Sequence, residues 1–211
     1  MASAIIHLAV AKTLEQYLPI KNKRDYYLGS IAPDISKQIG ENKQRSHFLI
    51  NTRDDIPNME LFREKHPNFK DNSFDLGYYI HLYTDRLWFS HFLPLITSGN
   101  YIKLLDGTVI FSAPTEMQSL LYQDYTNLNV QLLDEYKLDL SLFYEEFIKP
   151  ETSMDEIPVD KLNLLLDKMG IIIENSKEEK PFAFDLYLVL DFIDKTSQEI
   201  LESLNPKEEI I

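Results

Sequence analysis

Residues 73–97 read SFDLGYYIHLYTDRLWFSHFLPLIT, and this stretch decides the fold because its pattern predicts a helix that is buried on most of its sides. At about 100° per residue, seven of its residues share one narrow face. They are Phe74, Gly77, Tyr78, His81, Asp85, Trp88 and Phe92. His81 and Asp85 therefore stand where a buried helix usually carries leucine.

A carboxylate buried without a partner is unfavourable, so the chain must give Asp85 a cation or a full set of hydrogen bonds. A metal ion between His81 and Asp85 is the simplest cation. The alternative is a core histidine that only hydrogen-bonds to its neighbour. Gly77 lies one turn before His81 on the same face, which predicts the close approach of another backbone or of a ligand.

The length of 211 residues fits one domain. We expect a single unit over residues 1–211, with a metal-binding core in residues 1–100 and additional packing helices in residues 101–211. Cysteine is absent, which excludes disulfides and thiolate ligands. Histidine, aspartate and glutamate are therefore the strong ligand types that remain.

The net charge of −13 argues against binding of duplex nucleic acid, which relies on many lysine and arginine contacts to phosphates. A small anionic group held by a metal is compatible with this charge. No apolar run approaches the roughly 20 residues that span a bilayer. The first residues lack the basic segment and cleavage site of a signal peptide, so we expect a cytoplasmic protein with no transmembrane segment.

Three further candidate ligands precede the central helix. His7 lies in the apolar stripe of a helix predicted over residues 3–18, with Ser3 as its N-cap. Asp34 follows Ala32-Pro33 at a bend, and His47 precedes Phe48 at the edge of an apolar cluster. Taken singly, each histidine is more typical of a hydrogen-bonded core residue, and Asp34 of a helix N-cap.

The rest of the chain predicts an all-α bundle. Helices are expected at residues 59–65, 114–136, 138–148, 159–169 and 181–204, and a short β segment at 108–111. His66 lies in a polar turn before Pro67, so we expect it to be exposed and without a role.

The spacing of His81, Asp85 and His91 sets which of them can share an ion. Residues four apart on a helix have Cβ atoms about 5–6 Å apart, so His81 and Asp85 can hold one ion together. His91 is rotated from Asp85 by about 120° and lies about 9 Å further along the axis. His91 is therefore expected to reach only a neighbouring ion.

These residues resemble the zinc-dependent phospholipases C and the related zinc-dependent single-strand nucleases, which are helical phosphodiesterases with three metal ions. The resemblance covers about the first ninety residues. It rests on His7, Leu28-Gly-Ser-Ile-Ala-Pro-Asp34, Ser46-His47-Phe48, Gly77-Tyr-Tyr-Ile-His81, and the run His81-x3-Asp85-x5-His91.

The resemblance implies a zinc ion held by Asp34, His47, His81 and Asp85. Asp85 would bridge to a second ion bound by His7 and a free N-terminal amine, which belongs to Ala2 if Met1 is removed. The tryptophan that begins the family's proteins is missing here. The third ion of the family uses a later His-x3-Glu, which this chain lacks after His91; Asp106, Glu116 or Asp124 replaces it, or the third ion is absent.

The predicted function is a metal-dependent hydrolase of phosphoric esters, with one to three divalent ions that activate water. The substrate is expected to be a small or lipid-like phosphate ester, with Asp34 or Asp85 as the proton acceptor. The choice of zinc comes from the resemblance, and manganese, iron or nickel also suit such ligands. The alternative is a catalytically silent protein with a structural ion.

Four cations lie near Asp34 and His47 in sequence and are interpreted as a solvated loop rather than as substrate ligands: Lys37, Lys43, Arg45 and Arg53.

Overall fold

The computed structural model describes residues 2–52, 56–177 and 179–205. These residues contain eight α-helices: α1 Ala4–Glu15, α2 Lys23–Gly29, α3 Ile35–Gln38, α4 Met59–Lys65, α5 Ser73–Leu87, α6 Pro114–Glu135, α7 Leu162–Glu174 and α8 Leu186–Leu204. The predicted helical fold is confirmed. One small antiparallel sheet accompanies it, formed by β1 Thr97–Ser98, β2 Tyr101–Lys103 and β3 Val109–Phe111.

Polar side chains fix where several helices begin. The hydroxyl of Ser3 accepts the amide N–H of Ile6 at the start of α1, as predicted. Asn72 accepts the amides of Phe74 and Asp75 at the start of α5. These caps satisfy backbone donors that have no partner inside the helix.

The central helix is shorter than predicted. Regular α-helical winding ends at Leu87, and Trp88–Phe92 form a π-helical turn, which is followed by a 3₁₀ turn at Leu93–Leu95. Pro94 has no backbone N–H to donate, so the α-helix does not continue to Thr97, which begins β1 instead. The wider turn stacks the rings of Trp88 and Phe92 with centroids 4.1 Å apart.

Helices α2 and α5 cross at two glycines. A Cβ atom on Gly77 would lie 2.1 Å from the carbonyl oxygen of Tyr26, and one on Gly29 would lie 2.1 Å from the carbonyl oxygen of Phe74. Neither position has room for a side chain. The expectation that Gly77 admits another backbone is confirmed, and the crossing brings the segment that carries Asp34 next to α5.

Two predicted helices differ from the observed ones, the first in where it begins and the second over most of its length. The backbone amides of Phe182, Ala183 and Phe184 donate to the buried carboxylate of Asp124, and α8 therefore begins only at Leu186 rather than at Pro181. The second difference lies at residues 138–148. Lys137 has a left-handed φ of 47° after α6, and only Ser141–Phe143 are helical, as a 3₁₀ turn.

The last helix completes the core around the π-helical turn. Helix α8 packs against α1 and α5. The indole of Trp88 contacts the rings of Phe184 and Phe192, with centroids 5.7 and 5.2 Å away. Within the described residues, no helix is long and apolar enough to cross a membrane.

Candidate metal centre

Five of the predicted ligands meet in the interior. Helix α1 supplies His7, and α5 supplies His81 and Asp85. A 3₁₀ turn, Ala32–Asp34, carries Asp34 directly after α2, and the loop before α4 carries His47. All five are buried, and Asp34 is the most exposed of them at 6 %.

Four atoms form a compact group: Asp34 Oδ1, His47 Nε2, His81 Nε2 and Asp85 Oδ2. The two nitrogens are 3.3 Å apart. His47 Nε2 lies 3.5 Å from Asp34 Oδ1 and 3.6 Å from Asp85 Oδ2, and His81 Nε2 lies 3.9 and 3.8 Å from the same two oxygens. Zinc bonds of about 2.0–2.2 Å at tetrahedral angles separate ligand atoms by roughly 3.3–3.6 Å. These five distances are close to the zinc values, and the buried sets close enough to hold an ion among the described residues are His47, His81 and Asp85, and His7, Asp34 and His81.

Hydrogen bonds on the far side of two rings fix the direction of Nε2. Nδ1 of His81 lies 2.9 Å from the carbonyl oxygen of Ser30, which can only accept, so Nδ1 carries the proton. Nδ1 of His47 lies 2.9 Å from the hydroxyl of Ser46. Both Nε2 atoms are thereby turned toward the carboxylates, and the lone pair of His81 Nε2 is free, as in metal-binding histidines.

The carboxylate oxygens that face these nitrogens have no hydrogen-bond partner. Asp34 Oδ1 and Asp85 Oδ2 are both buried and unpaired, as are both ring nitrogens of His7. Buried polar atoms are almost always satisfied in folded proteins. Unpaired buried atoms from three chain segments, which are α1, the turn of Asp34 and α5, fit the binding of divalent cations.

The protonation states suit a metal ion as well. Burial, and then the charge of His7, lower the pKa of His81 to about 3, so its ring is neutral at pH 7. Burial raises the pKa of Asp34, but the ring of His47, whose Nε2 is 3.5 Å from Oδ1, and the nearby His81 outweigh burial and lower this pKa. For Asp85, the charge of the chain's amino terminus and His7 outweigh burial and hold the pKa well below its usual value. Neutral imidazoles and ionised carboxylates are the forms that bind metals.

A second position lies on the other side of Asp85. Its Oδ1 accepts the backbone N–H of Ala2 at 2.9 Å and lies 3.3 Å from His7 Nε2. The ring of His7 stacks on that of His81 with centroids 3.8 Å apart. One oxygen of Asp85 thus faces His47 and His81, and the other faces His7.

The structure does not bring His91 to this group, which corrects its inclusion among the predicted ligands. The π-helical turn places His91 on the surface, where it lines a depression with Asp191 and Lys195 of α8. The residues suggested as substitutes in a third metal site also lie apart from this group. Asp106 and Glu116 are exposed, and Asp124 is occupied by backbone amides.

His66 is buried rather than exposed, so that expectation was wrong. Its Nδ1 lies 3.1 Å from Ser153 Oγ and its Nε2 lies 3.1 Å from the carboxylate of Glu156. The ammonium group of Lys65 also pairs with Glu156 and with Asp155. His66, Asp155 and Glu156 are close enough to hold an ion, but Lys65 already supplies the cation there.

A cavity of about 330 Å³ borders Asp34. Its walls are the start of α1, the segment that follows Asp34, and one face each of α6 and α7. The lining residues are Ala2, Ser3, Ala4, Ile5, Asp34, Lys37, Gln38, Tyr122, Tyr125, Thr126, Asn129, Lys168, Met169, Ile172 and Ile173. No pattern in the sequence indicates the contributions of Asn129 and Lys168, because α6 and α7 reach this place only through tertiary packing.

The four cations near Asp34 in sequence lie in different places. Lys37 lines the 330 Å³ cavity, and Lys43 lines a neighbouring one of about 660 Å³. Arg45 contacts Asp155 on the exposed surface. Arg53 lies outside the described residues. Of the three described cations, Lys37 alone adjoins the buried cluster through the smaller cavity.

Comparison with known proteins gives one result. A family model described as zinc dependent phospholipase C matches residues 4–150, which is more than half of the chain and includes all five clustered residues. No curated protein and no solved structure matches the sequence.

Proposed function

The chain belongs to the zinc-dependent phospholipase C family, and from this we propose that it is a metal-dependent hydrolase of phosphoric esters, with a phosphodiesterase or phospholipase C-like activity. One observation carries the proposal. Two buried carboxylate oxygens without hydrogen-bond partners, on Asp34 and Asp85, lie 3.5–3.9 Å from two imidazole nitrogens that are themselves 3.3 Å apart. A core histidine that was merely satisfied by hydrogen bonds would leave no such unpaired oxygens.

We propose Asp34, His47, His81 and Asp85 as the ligands of one ion. A bound zinc ion would lower the pKa of water and neutralise phosphate oxygens. Asp34 borders the cavity and its pKa is lowered, so its carboxylate is ionised and can accept a proton from water there. Asp85 is fully buried, and we propose that its carboxylate supplies a negative charge between His81 and His7.

The described residues support two ion positions rather than three. We propose His7 and Asp85 Oδ1 as donors of the second position, whose remaining ligands would be water or substrate. Ligation by a free amine of Ala2 stays a prediction. Zinc is proposed from the family, and manganese, iron and nickel remain chemically compatible with these nitrogen and oxygen donors.

The lining of the cavity favours a small or lipid-like phosphate ester as the substrate. Ile5, Ile172 and Ile173 give it apolar walls beside Asp34. A net charge of −13 disfavours duplex nucleic acid as the substrate. That the protein works in the cytoplasm stays a prediction.

A second candidate is a protein whose ion is purely structural. The four donors of the first position would complete a tetrahedral shell, and closed shells are typical of structural zinc, whereas catalytic zinc keeps an open position. Such an ion would tie α2 and the loop of His47 to α5. This candidate predicts bound metal without hydrolysis.

The test combines elemental analysis with turnover of bis(4-nitrophenyl) phosphate by protein purified without a histidine tag. We expect bound zinc and release of nitrophenol by the wild type and the His91→Gln variant, and loss of both in Asp85→Asn. Stoichiometric metal without hydrolysis of any phosphate ester would support the structural ion and refute the hydrolase. Absence of metal after incubation with zinc would refute both.

A further inference from the structure

The cavity beside Asp34 is built partly by residues that the family match does not include. Lys168, Met169, Ile172 and Ile173 come from α7, whereas the match ends at residue 150. This wall therefore carries features of this chain that membership of the family does not assign. Its position next to Asp34 makes it a candidate for substrate selection.

The charged groups of the cavity are two lysines and Asp34. Lys37 and Lys168 line it, and Asp34 is the only carboxylate that does so. Among the residues that the structure describes, no ion pair joins either lysine to a carboxylate. In a chain with a net charge of −13, two unpaired lysines beside a proposed metal ligand form a local positive site.

Lys37 is held against the cavity wall. Its ammonium group donates to the hydroxyl of Tyr122 at 2.7 Å and lies 4.2 Å from the centre of the Tyr122 ring. An ammonium group has three donors, so two remain for a ligand. The aromatic face that would otherwise attract a ligand cation is already covered by Lys37.

Asn129 supplies an independent sign that the cavity holds a ligand. The side chain is 3 % exposed, and its Nδ2 donates to Ser176 Oγ at 3.0 Å. Its Oδ1 has no hydrogen-bond partner. A buried acceptor of this kind takes a hydrogen bond from water or from a hydroxyl group of a ligand, which is a separate requirement from the negative charge that the two lysines favour.

We propose that this cavity binds the alcohol arm of the phosphate ester and that it selects an arm with a negative charge, which Lys37 and Lys168 contact. The proposal rests on the hydrolase function and narrows its substrate class. An arm with a quaternary ammonium group is disfavoured because both lysines repel it and Lys37 covers the ring of Tyr122.

The first experiment compares three 4-nitrophenyl phosphodiesters whose second arm is ethyl, 2-carboxyethyl or choline. We expect the zinc-loaded wild type to give the highest kcat/KM with the carboxyethyl ester and the lowest with the choline ester. In the Lys37→Gln/Lys168→Gln variant, the ratio of carboxyethyl to ethyl should fall by roughly fivefold or more, and high salt should reduce it in the wild type. Lys161→Gln, an exposed lysine outside the cavity, is the matched control.

The second experiment measures binding without hydrolysis. Zinc-loaded protein is titrated with 2-carboxyethylphosphonate and with propylphosphonate, which differ in the charge of the arm. Tighter binding of the carboxyethyl compound that the double lysine variant loses supports the proposal, even if no ester is hydrolysed and the hydrolase function fails. Equal binding of both compounds, a preference that survives in the double variant, or better turnover of the choline ester would overturn it.

Discussion

Asp85 connects the two halves of the candidate metal centre. Its Oδ2 faces His47 and His81, its Oδ1 faces His7 and accepts the amide of Ala2, and its side chain is fully buried. The Oδ2 atom has no hydrogen-bond partner. A change at this residue therefore separates metal binding from packing better than a change at any of the imidazoles.

Replacement of Asp85 by Asn keeps the size of the side chain and removes its charge. We expect the variant to lose the bound ion and the rise in Tm that zinc gives the wild type. If free zinc exceeds the dissociation constant a thousandfold, that stabilisation is about 4 kcal/mol. Thermal unfolding with and without zinc measures it. His91→Gln is the control, since His91 is exposed, and an equal zinc response in Asp85→Asn would contradict the assignment.

Single residues show how far the sequence could predict the site. His81 and Asp85 were identifiable because a buried helical stripe is a local pattern. His66 was not, since its burial depends on Ser153 and Glu156, about ninety residues away in the chain. The turn of His66 and Pro67 is polar in sequence, and no local spacing pattern identifies a partner about ninety residues away.

At the scale of elements, the crossing of α2 and α5 sets the geometry of the centre. Ser30 follows Gly29 directly, and its carbonyl oxygen orients the ring of His81. The same crossing leaves no space for a Cβ atom at Gly77, where Tyr26 O would be 2.1 Å away and Ser30 N 2.9 Å away. The separation of the two helices therefore controls the direction of the His81 ring, a proposed metal ligand.

Replacement of Gly77 by Ala should force α2 away from α5. We expect the free energy of unfolding to fall by about 1–3 kcal/mol, as for other overpacked cores, and zinc affinity to fall with it. Urea denaturation and zinc titration measure the two effects. Gly170→Ala in α7 is the matched control because its Cβ would meet only Phe143 at 3.9 Å, and it should stabilise the helix by up to about 1 kcal/mol. Gly77→Ala with wild-type stability would contradict the close crossing.

Glu15 links the end of α1 to α2 through Lys23 and Tyr27, and it also pairs with Lys12. Burial raises its pKa, but the hydrogen bonds from Lys23, Tyr27 and Lys12 outweigh burial and lower it to about 2 from the usual 4.5. A lowered pKa in the folded state stabilises the protein above the unfolded pKa. This contribution is lost as the pH falls from about 4.5 to about 2.

Glu15→Gln should therefore be less stable than the wild type near neutral pH. The difference should shrink steadily as the pH falls below about 4.5, because the wild type then loses the same interaction. Urea denaturation at a series of pH values measures the difference. Glu64→Gln, at an exposed position, should show no such pH-dependent difference, and a constant difference for Glu15→Gln would exclude the ionised carboxylate as its cause.

The helices themselves were largely predictable, and the errors in their predicted bounds have physical causes. Bounds of α4 were correct because a cap and a local apolar pattern define them. The start of α8 was not, because the carboxylate of Asp124 draws three amides of the preceding residues out of helical geometry. Residues 138–148 have a helical pattern of apolar side chains, but the left-handed Lys137 redirects the chain.

At the scale of the whole molecule, bound metal should stabilise some parts more than others. Four of the five clustered residues lie on α1, on α5 or in the turn after α2, and His47 lies in the next loop. Their unpaired atoms leave this half of the structure unsatisfied without a cation. Elements that carry no ligand, such as α7 and the sheet, depend on the ion only through packing.

Removal of metal by a chelator should lower Tm by roughly 8–16 °C, if the ion contributes about 4 kcal/mol. Hydrogen exchange should accelerate most in α1, α5 and residues 46–48, and least in β1–β3. Mass spectrometry of peptides resolves these regions, and zinc added back should reverse the change. Uniform acceleration along the chain, or none, would argue against an ion at this place.

The sequence predicted the residues that cluster in the interior better than it predicted the cavity beside them. All the clustered residues lie in the first ninety positions, where local patterns and a family resemblance indicate them. The cavity needs α6 and α7, whose Asn129 and Lys168 have no recognisable motif and reach Asp34 only through the packed fold. The division into one domain with a core in residues 1–100 stays a prediction.

The two-sided carboxylate of Asp85 has a consequence for any metal titration. An ion on the side of His47 and His81 would withdraw electron density from the oxygen that faces His7, so the two proposed positions would not fill independently. Binding isotherms should therefore require two unequal, anticooperative steps. Partly loaded preparations would then contain mainly singly occupied molecules rather than a mixture of empty and full ones.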